Sequence, residues 1–266
     1  MRNLQKKVTF QKILSNNDFL GQIQIDQEPV RLLGRYFAQV AQLMSDQGYT
    51  LAIEPIERLV EINADNQVGW RRLLPLFNPD LNDLNDDNSF CLIARNVEGM
   101  PIASGACRRY NWASTNFAAQ LENRQLFYAD PCANGSDFEA CEVTAVRARR
   151  ITGKAVFAGA AWCHPSVRGQ SLSSIIPRTS KALALAKWDF DSMVGLMLED
   201  ILKLGFAQRF GYNHPESAAT IVDRNGQEKT YAVLGMPRVD VIRHVEEHLA
   251  GGQSEIDGVI RQRLSQ

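Results

Sequence analysis

No stretch of this chain is apolar for long enough to cross a bilayer, and neither sign of charge is in clear excess. The unbroken small and apolar run Ala155–Cys163 is far shorter than the roughly 20 residues that a membrane span needs. The 29 basic and 30 acidic residues leave a net charge of −1. Proteins that bind nucleic acid or an anionic membrane surface usually carry a basic excess, so we expect neither partner. Lys6 and Lys7 are not followed by an apolar run, which argues against a signal peptide.

Several motifs with a known chemistry are also missing. The sequence has no CxxC pair, no P-loop and no GxGxxG after a strand. The five cysteines are odd in number, and the three in apolar segments (Cys91, Cys107 and Cys163) are typical of buried, reduced thiols. We therefore predict a cytoplasmic protein without a disulfide framework. His244 and His248 share a helix face but lack the HExxH order, so no metal site is expected.

The residues that are present suit an ordinary globular protein. Of the 266 residues 45% are hydrophobic and 22% charged, which allows a sizeable core. Apolar spacing predicts helices over Glu28–Gln47, Pro55–Ile62 and Val68–Phe77. From Phe90 onward strands appear, beginning with a predicted hairpin of Phe90–Asn96 and Pro101–Tyr110. Helices followed by mixed strands and helices predict an α+β fold around one sheet.

The second half of the chain continues this alternation. The predicted elements are a helix over Ala113–Asn123, strands over Cys141–Val146, Ala155–Cys163 and Ser192–Leu198, a helix over Glu199–Phe210, strands over Ala219–Val222 and Thr230–Leu234, and a helix over Val239–Leu249. We divide the chain into a polar arm (1–27), a helical extension (28–87), a main domain (88–249) and a tail (250–266). The extension either covers a substrate cleft or forms the surface of a homodimer.

One unit within this order bears most directly on function. The run Ala155–Cys163 reads as a buried strand, and it is followed by a short turn that contains Arg168 and Gly169. Apolar spacing from Leu172 then predicts a helix, with Pro177 expected to kink or restart it. The first turn of such a helix carries unpaired N–H groups and the positive end of the dipole. The turn is therefore a candidate site for a phosphate or pyrophosphate.

The order of elements from Phe90 onward resembles the GNAT superfamily of N-acetyltransferases, over roughly residues 88–236. The local match is the segment Cys163–Gln170, which is similar to that family's acetyl-CoA loop after its fourth strand. The family's loop is commonly Gln/Arg-x-x-Gly-x-Gly/Ala. This chain has Arg168 at the first position, but it has Ser171 and Ser173 at the two positions where the family has a glycine or alanine. The resemblance implies a GNAT-like, mixed and mostly antiparallel sheet flanked by helices, with an N-terminal helical extension.

The resemblance also implies how acetyl-CoA, as co-substrate, would be held. The residues it assigns to the diphosphate are Arg168, Gly169, Gln170, Ser171, Leu172 and Ser173. Trp162 and Cys163 would align the pantetheine arm, and one of their N–H groups would be the oxyanion donor. Asp200 stands where family members often have an Asn after the fifth strand. No metal is implied.

The residues that would act as general acid and general base match the family less closely. Ala207 stands where the family has the Tyr that protonates the departing thiolate, so Tyr212 is the proposed substitute, with Ser171 and Ser173 as alternatives. The strand Ala155–Cys163 contains no carboxylate. Glu142 is therefore the expected base, with Glu199 and Asp130 as alternatives.

Two functional hypotheses follow. The first is an acyltransferase that moves an acetyl group from acetyl-CoA directly to an amine of a small molecule or peptide, which the Arg168-Gly169 turn favours. The second is a protein of the same fold that has lost catalysis and serves as a CoA-sensing or protein-interaction module. Ser171, Ser173 and Ala207 favour the second hypothesis. The sequence does not identify the acceptor amine.

Overall fold

An eight-stranded sheet forms the centre of the protein. The structure, a computed structural model, describes residues 19–66, 69–132, 138–167 and 171–264. The strands are β1 (Thr50–Glu54), β2 (Ser89–Arg95), β3 (Pro101–Trp112), β4 (Phe138–Val143), β5 (Gly153–Cys163), β6 (Ser192–Leu198), β7 (Glu216–Asp223) and β8 (Glu228–Pro237). Their order in the sheet is β1-β2-β3-β5-β6-β8-β7-β4, and every neighbouring pair is antiparallel except β5 and β6. The predicted α+β fold with a mixed, mostly antiparallel sheet is confirmed.

Helices cover both faces of this sheet and bury a core on each side. They are α1 (Val30–Asp46), α2 (Ile56–Asp65), α3 (Phe117–Glu122), α4 (Val146–Arg150), α5 (Leu172–Lys187), α6 (Glu199–Lys203), α7 (Phe206–Arg209) and α8 (Arg238–Leu264). One core lies under α1, α5 and α8, and the other lies under α2, α3, α4 and the segment after α2. None of the helices in the described ranges combines the length and apolar character that crossing a bilayer requires.

The region before Phe90 contains less helix than the sequence predicts. Residues 28–87 are not a purely helical extension, because Thr50–Glu54 form β1 and pair with β2. This strand is too short to show a clear period of two. In place of the helix predicted over Val68–Phe77, only a 3-10 turn at Pro75–Phe77 forms within residues 69–77. Pro75 disfavours a helical conformation at Leu74, which is extended with ψ 140°.

Two predicted helices near the C-terminus also differ from expectation. The helix predicted over Glu199–Phe210 is broken into α6 and α7 at Gly205, which has a left-handed φ of +77°. Helix α8 runs through Gly251 and Gly252 to Leu264, so most of the predicted tail is helical. Helix α5, in contrast, is continuous through Pro177 from Leu172 to Lys187. Residues 1–18 of the predicted arm lie outside the described residues.

Candidate active site

The sheet opens between its two parallel strands. Strands β5 and β6 pair only from Ala155 opposite Ser192 to Phe157 opposite Val194. Beyond that point β5 continues along β3 to Cys163, while β6 continues along β8 to Leu198. In the described residues the facing edges past Phe157 and Val194 therefore share no ladder pairing, and they enclose a wedge-shaped gap.

Local backbone features hold this gap open. Strand β5 bulges against β3 between Ser104 and Ala106, and Ala160 at the bulge adopts a left-handed φ of 53°. The Ser104 hydroxyl donates a hydrogen bond of 2.8 Å to the Ala160 carbonyl, which fixes the bulge. A bulge bends its strand, and here it turns the end of β5 away from β6. At the closed end Gly195 leaves little room for a side chain, because a Cβ there would lie 3.0 Å from the Ala158 carbonyl oxygen.

A cavity of about 710 Å³ lies at the gap and is lined by residues from both faces of the sheet. On one face it is lined by residues of α5, α6, α7 and their neighbours, among them Val167, Leu172, Ile201, Phe206 and Phe210. On the other face it is lined by residues that include Trp70, Leu73, Leu74 and Trp162. A cavity of this size accommodates a ligand much larger than a single amine. Two molecules that enter from opposite faces could meet where the strands separate.

The N-terminus of α5 lies at this cavity. Ser171 has a left-handed φ of 62°, and its carbonyl accepts hydrogen bonds from the N–H groups of Ser174 and Ile175. Ser171, Leu172 and Ser173 line the cavity, as the phosphate-site prediction requires. The first N–H groups of a helix have no partner within the helix, so they are available for an anion. The predictions for Arg168, Gly169 and Gln170 lie outside the described residues.

Two tryptophans form a wall on the opposite face. The indole rings of Trp70 and Trp162 stack with centroids 4.7 Å apart and planes 8° from parallel. The Trp162 Nε1–H is buried and has no hydrogen-bond partner in the described part of the chain. Cys163 lines the cavity next to it. The structure therefore brings Trp162 and Cys163 together with Ser171–Ser173 around one cavity.

Lys181 and Tyr212 lie at the closed end of the gap. The Lys181 ammonium donates a hydrogen bond to the Phe210 carbonyl and lies 4.1 Å from the centroid of the Tyr212 ring. The Tyr212 hydroxyl lies 3.6 Å from the Cβ position of Gly195, just beyond the last paired residues of β5 and β6. It is buried and makes no hydrogen bond to any described residue. Burial lowers the pKa of Lys181 to about 7 and raises the pKa of Tyr212.

The sequence predicted Tyr212 as a site residue and did not point to Lys181, and the structure places both at the cavity. A lysine within the second half of a helix usually reaches water, and nothing in its immediate spacing marks it as a site residue. One signal was available in Ala182–Ala186, the unbroken apolar run that follows it, which is typical of a helix buried on all sides. Lys181 is only 3% exposed, because α5 is covered by the sheet on one side and by α1 and α8 on others.

Other predicted residues do not line the cavity. Glu142 is exposed on β4, opposite Thr220 of β7, because β4 pairs at the far edge of the sheet although it precedes β5 in the chain. Asp200 is exposed on α6. Asp130 is exposed in a turn, where its carboxylate accepts the Cys132 N–H. Ala207 is fully buried in the core under α7.

Of the three carboxylates predicted as the base, Glu199 is the closest in sequence to a residue that lines the cavity. It directly follows Leu198, a lining residue at the end of β6. Its Oε1 accepts a hydrogen bond of 2.6 Å from the Ser217 hydroxyl, and its Oε2 lies 3.8 Å from the Lys203 ammonium. The Glu199 side chain is 41% exposed, so water reaches it.

The charged side chains that line the cavity are all basic. They are Arg71, Arg72, Lys181 and Arg209, and no carboxylate lines it in the described ranges. Within the same ranges, no group of three or more His, Cys, Asp or Glu side chains is placed to hold a metal ion. The cavity is thus suited to anionic ligands, which the basic side chains attract.

Several solved acetyltransferase structures are similar to this fold. Arabidopsis thaliana NAA60 in complex with acetyl-CoA aligns with a TM-score of 0.42 and 11% identity, over 71% of this chain and 98% of that one. A mutant of the spermidine N-acetyltransferase SpeG from Vibrio cholerae aligns with a TM-score of 0.43 and 8% identity, over 74% of this chain and 97% of that one. No family model and no curated protein matches the chain. At these values the likeness concerns the arrangement of the chain and assigns no activity.

Proposed function

We propose that this chain is an acyltransferase that moves an acetyl group from acetyl-CoA to an amine of a small molecule or peptide. The observation that carries the proposal is the cavity at the point where β5 and β6 separate, which is lined by residues from both faces of the sheet. Acetyl-CoA would enter on the α5 face, with its diphosphate at Ser171–Ser173 and its pantetheine arm along the β5 edge that faces the gap. The amine would enter from the Trp70 face, so that both reactants meet in the gap.

Direct transfer requires few side chains in this arrangement. The amine nitrogen attacks the thioester carbonyl, and the N–H of Trp162 or Cys163 is the proposed donor to the oxyanion. One such donor is worth about 3 kcal/mol of the barrier. Tyr212 is the proposed proton donor to the departing sulfur. Glu199, acting through water, is the proposed base for the amine, and Glu142 has no role because it lies at the far edge of the sheet.

Calorimetric titration with acetyl-CoA tests the binding step. We expect saturable binding to the wild-type chain, and weaker binding to Gly195→Ala, whose added methyl group would lie 3.0 Å from the Ala158 carbonyl oxygen at the closed end of the gap. Gly34→Ala is the matched control, because no atom lies within 4 Å of its added Cβ. Absence of binding to the wild-type chain at millimolar acetyl-CoA would refute the proposal.

CoA release in the presence of an amine panel tests the transfer step. The panel contains free amino acids, spermidine and a peptide with a free N-terminus, and the released thiol is measured. Release above the rate with buffer alone supports the acyltransferase. Binding of acetyl-CoA without release supports the second candidate, a CoA-sensing or protein-interaction module. The lack of a carboxylate on the described cavity wall is the observation that favours this second candidate.

We also propose that the protein works in the cytoplasm. The described residues include all five cysteines, and none of them forms a disulfide. Cys91 and Cys107 are buried, and burial raises the pKa of the Cys91 thiol to about 12 and raises the pKa of Cys107 as well. Buried thiols of this kind suit a reducing compartment. A homodimer, formed through the region before Phe90, stays a prediction.

A further inference from the structure

Lys181 and Tyr212 present hydrogen-bond donors that the described residues do not satisfy. The Lys181 ammonium has three N–H donors and makes one hydrogen bond among the described residues, to the Phe210 carbonyl. The Tyr212 hydroxyl makes none. Leaving buried donors unpaired is costly, and a buried cation without a counter-charge is more costly still. A ligand that supplies an anionic acceptor at this point would remove both costs.

The charged and titratable groups that face Lys181 supply no negative charge. Cys107 on β3 is a buried thiol whose pKa is raised by burial, so it is neutral. Arg178 lies on the same helix and adds positive charge, which contributes to lowering the pKa of Lys181. His244 on α8 is neutral, because burial lowers its pKa to about 3. Tyr212 is a neutral phenol. None of these groups, among the residues that the structure describes, is a counter-ion for the Lys181 ammonium.

The depth of Lys181 matches the reactive end of coenzyme A. Lys181 lies ten residues after Ser171, which is about 15 Å along the axis of α5. The pantetheine arm joins the diphosphate to the thioester over a distance of this order. With the diphosphate at Ser171–Ser173, the thioester reaches the level of Lys181, beside the Tyr212 hydroxyl.

We propose that Lys181 and Tyr212 form an anion site at the inner end of the cavity, which binds a negative charge at the thioester end of coenzyme A. This inference rests on the proposed function. Two sources of that charge share this chemistry: the thiolate that leaves during transfer, and a carboxylate at the end of a dicarboxylic acyl chain. In the first case the C–N bond forms, the C–S bond breaks and its electron pair stays on sulfur. Tyr212, with Lys181 beside it, protonates the sulfur to give the thiol. The amine nitrogen loses its proton to water, and Tyr212 regains a proton from water, which completes the balance.

Two coenzyme A derivatives of nearly equal shape test the site without an acceptor. S-carboxymethyl-CoA carries a carboxylate beside the sulfur, and S-carbamoylmethyl-CoA carries a neutral amide at the same place. At pH 6 we expect the wild-type chain to bind the carboxylate at least tenfold more tightly. Lys181→Met should abolish this preference with little change in affinity for the amide, and Lys181→Arg should restore part of it. Lys203→Met, an exposed lysine on α6, is the control and should behave as the wild type.

The outcomes separate this inference from the proposed function. Failure of the wild-type chain to bind either derivative would overturn both. Equal affinity for the two derivatives, or a preference that survives Lys181→Met, would overturn the anion site alone. Should Lys181→Met bind neither derivative, a pH series on the wild-type chain decides. The preference must then fall between pH 6 and pH 9 as the ammonium loses its proton, and a constant preference would refute the site.

Donor selectivity distinguishes the two sources of charge. If the site binds an acyl carboxylate, succinyl-CoA should be consumed at least tenfold faster than butyryl-CoA at low concentration, and Lys181→Met should remove the difference. If the site serves the thiolate, the two donors should not differ in this direction. Lys181→Met should then lower kcat with acetyl-CoA about a hundredfold at little changed KM. If neither pattern is observed, the site takes no part in the reaction and the proposal is overturned.

Discussion

Replacing Lys181 with methionine should stabilise the protein, and by an amount that depends on pH. The Lys181 ammonium is buried, with one carbonyl and the Tyr212 ring as its described contacts. Burial lowers its pKa from the usual 10.5 to about 7. A difference of this size between the folded and unfolded chains corresponds to a penalty of about 4 to 5 kcal/mol when the lysine is charged in both states. Methionine has a similar length and removes that penalty.

The sign of the pH dependence follows from proton binding. Between pH 7 and about 10.4 the unfolded chain holds the Lys181 proton and the folded chain does not, so wild-type stability rises with pH in this window. Below pH 7 both states are protonated and the full penalty applies. The advantage of Lys181→Met should therefore be largest at pH 6. It should shrink by up to about 1.4 kcal/mol per pH unit above pH 7.

Urea unfolding followed by tryptophan fluorescence measures this effect, since the chain contains four tryptophans. Wild type and Lys181→Met are compared at pH 6, 7.5 and 9, and the difference between the two free energies of unfolding cancels the other titrating groups. Burial, rather than the charge of Lys181, is the largest cause of the lowered pKa of His244, so its contribution is nearly the same in both proteins and cancels in the difference. A difference that is constant from pH 6 to pH 9, or a Met variant less stable than wild type at pH 6, would refute the reasoning.

Three further changes have effects that the structure specifies. Gly105→Ala should lower the free energy of unfolding by about 1 to 3 kcal/mol in urea titrations, because its Cβ would lie 2.5 Å from the Ser180 hydroxyl oxygen. The double variant with Ser180→Ala should recover part of this loss, because it removes that oxygen. Glu54→Gln should lower the free energy of unfolding by about 3 kcal/mol in the same assay, because it removes the carboxylate that lies 2.9 Å from the Arg95 guanidinium. A loss below about 0.5 kcal/mol, which is typical of exposed ion pairs, would contradict this prediction. Glu199→Gln should reduce kcat about a hundredfold at unchanged thermal stability, and an unchanged kcat would remove Glu199 as the base.

Strands β5 and β6 and helix α5, which line much of the cavity, were predictable, because their sequences combine a simple pattern with a clear boundary. The apolar run Ser192–Leu198 coincides with β6, and Ala155–Cys163 lies within β5. Apolar spacing from Leu172 predicted α5, and the short runs Ala219–Val222 and Thr230–Leu234 lie within β7 and β8. In each case the local preference and the tertiary context agree.

Features that depend on distant parts of the chain were not predictable. Strand β4 precedes β5 in the chain, which made Glu142 a reasonable candidate base, but β4 pairs with β7 at the far edge of the sheet. Strand order depends on long-range pairing that local pattern does not encode. The burial of Lys181 likewise results from α1 and α8 covering a helix whose own sequence does not exclude a solvent-facing lysine. The break at Gly205 shows that a helical period can continue across a residue with a left-handed φ.

The construction of the cavity explains why motif searches find so little in this chain. The gap exists because β5 bulges at Ala160 and β6 has Gly195 where the two strands part, and neither residue supplies a reactive group. The proposed grip on coenzyme A uses backbone N–H groups, which any sequence with the right backbone conformation can offer. Ser171 and Ser173 can therefore replace the glycines of the family pattern without loss of those donors. Side-chain identity matters most for the groups that carry or transfer charge. Lys181 lies where negative charge would develop in the proposed reaction, and no carboxylate lines the described part of the cavity wall.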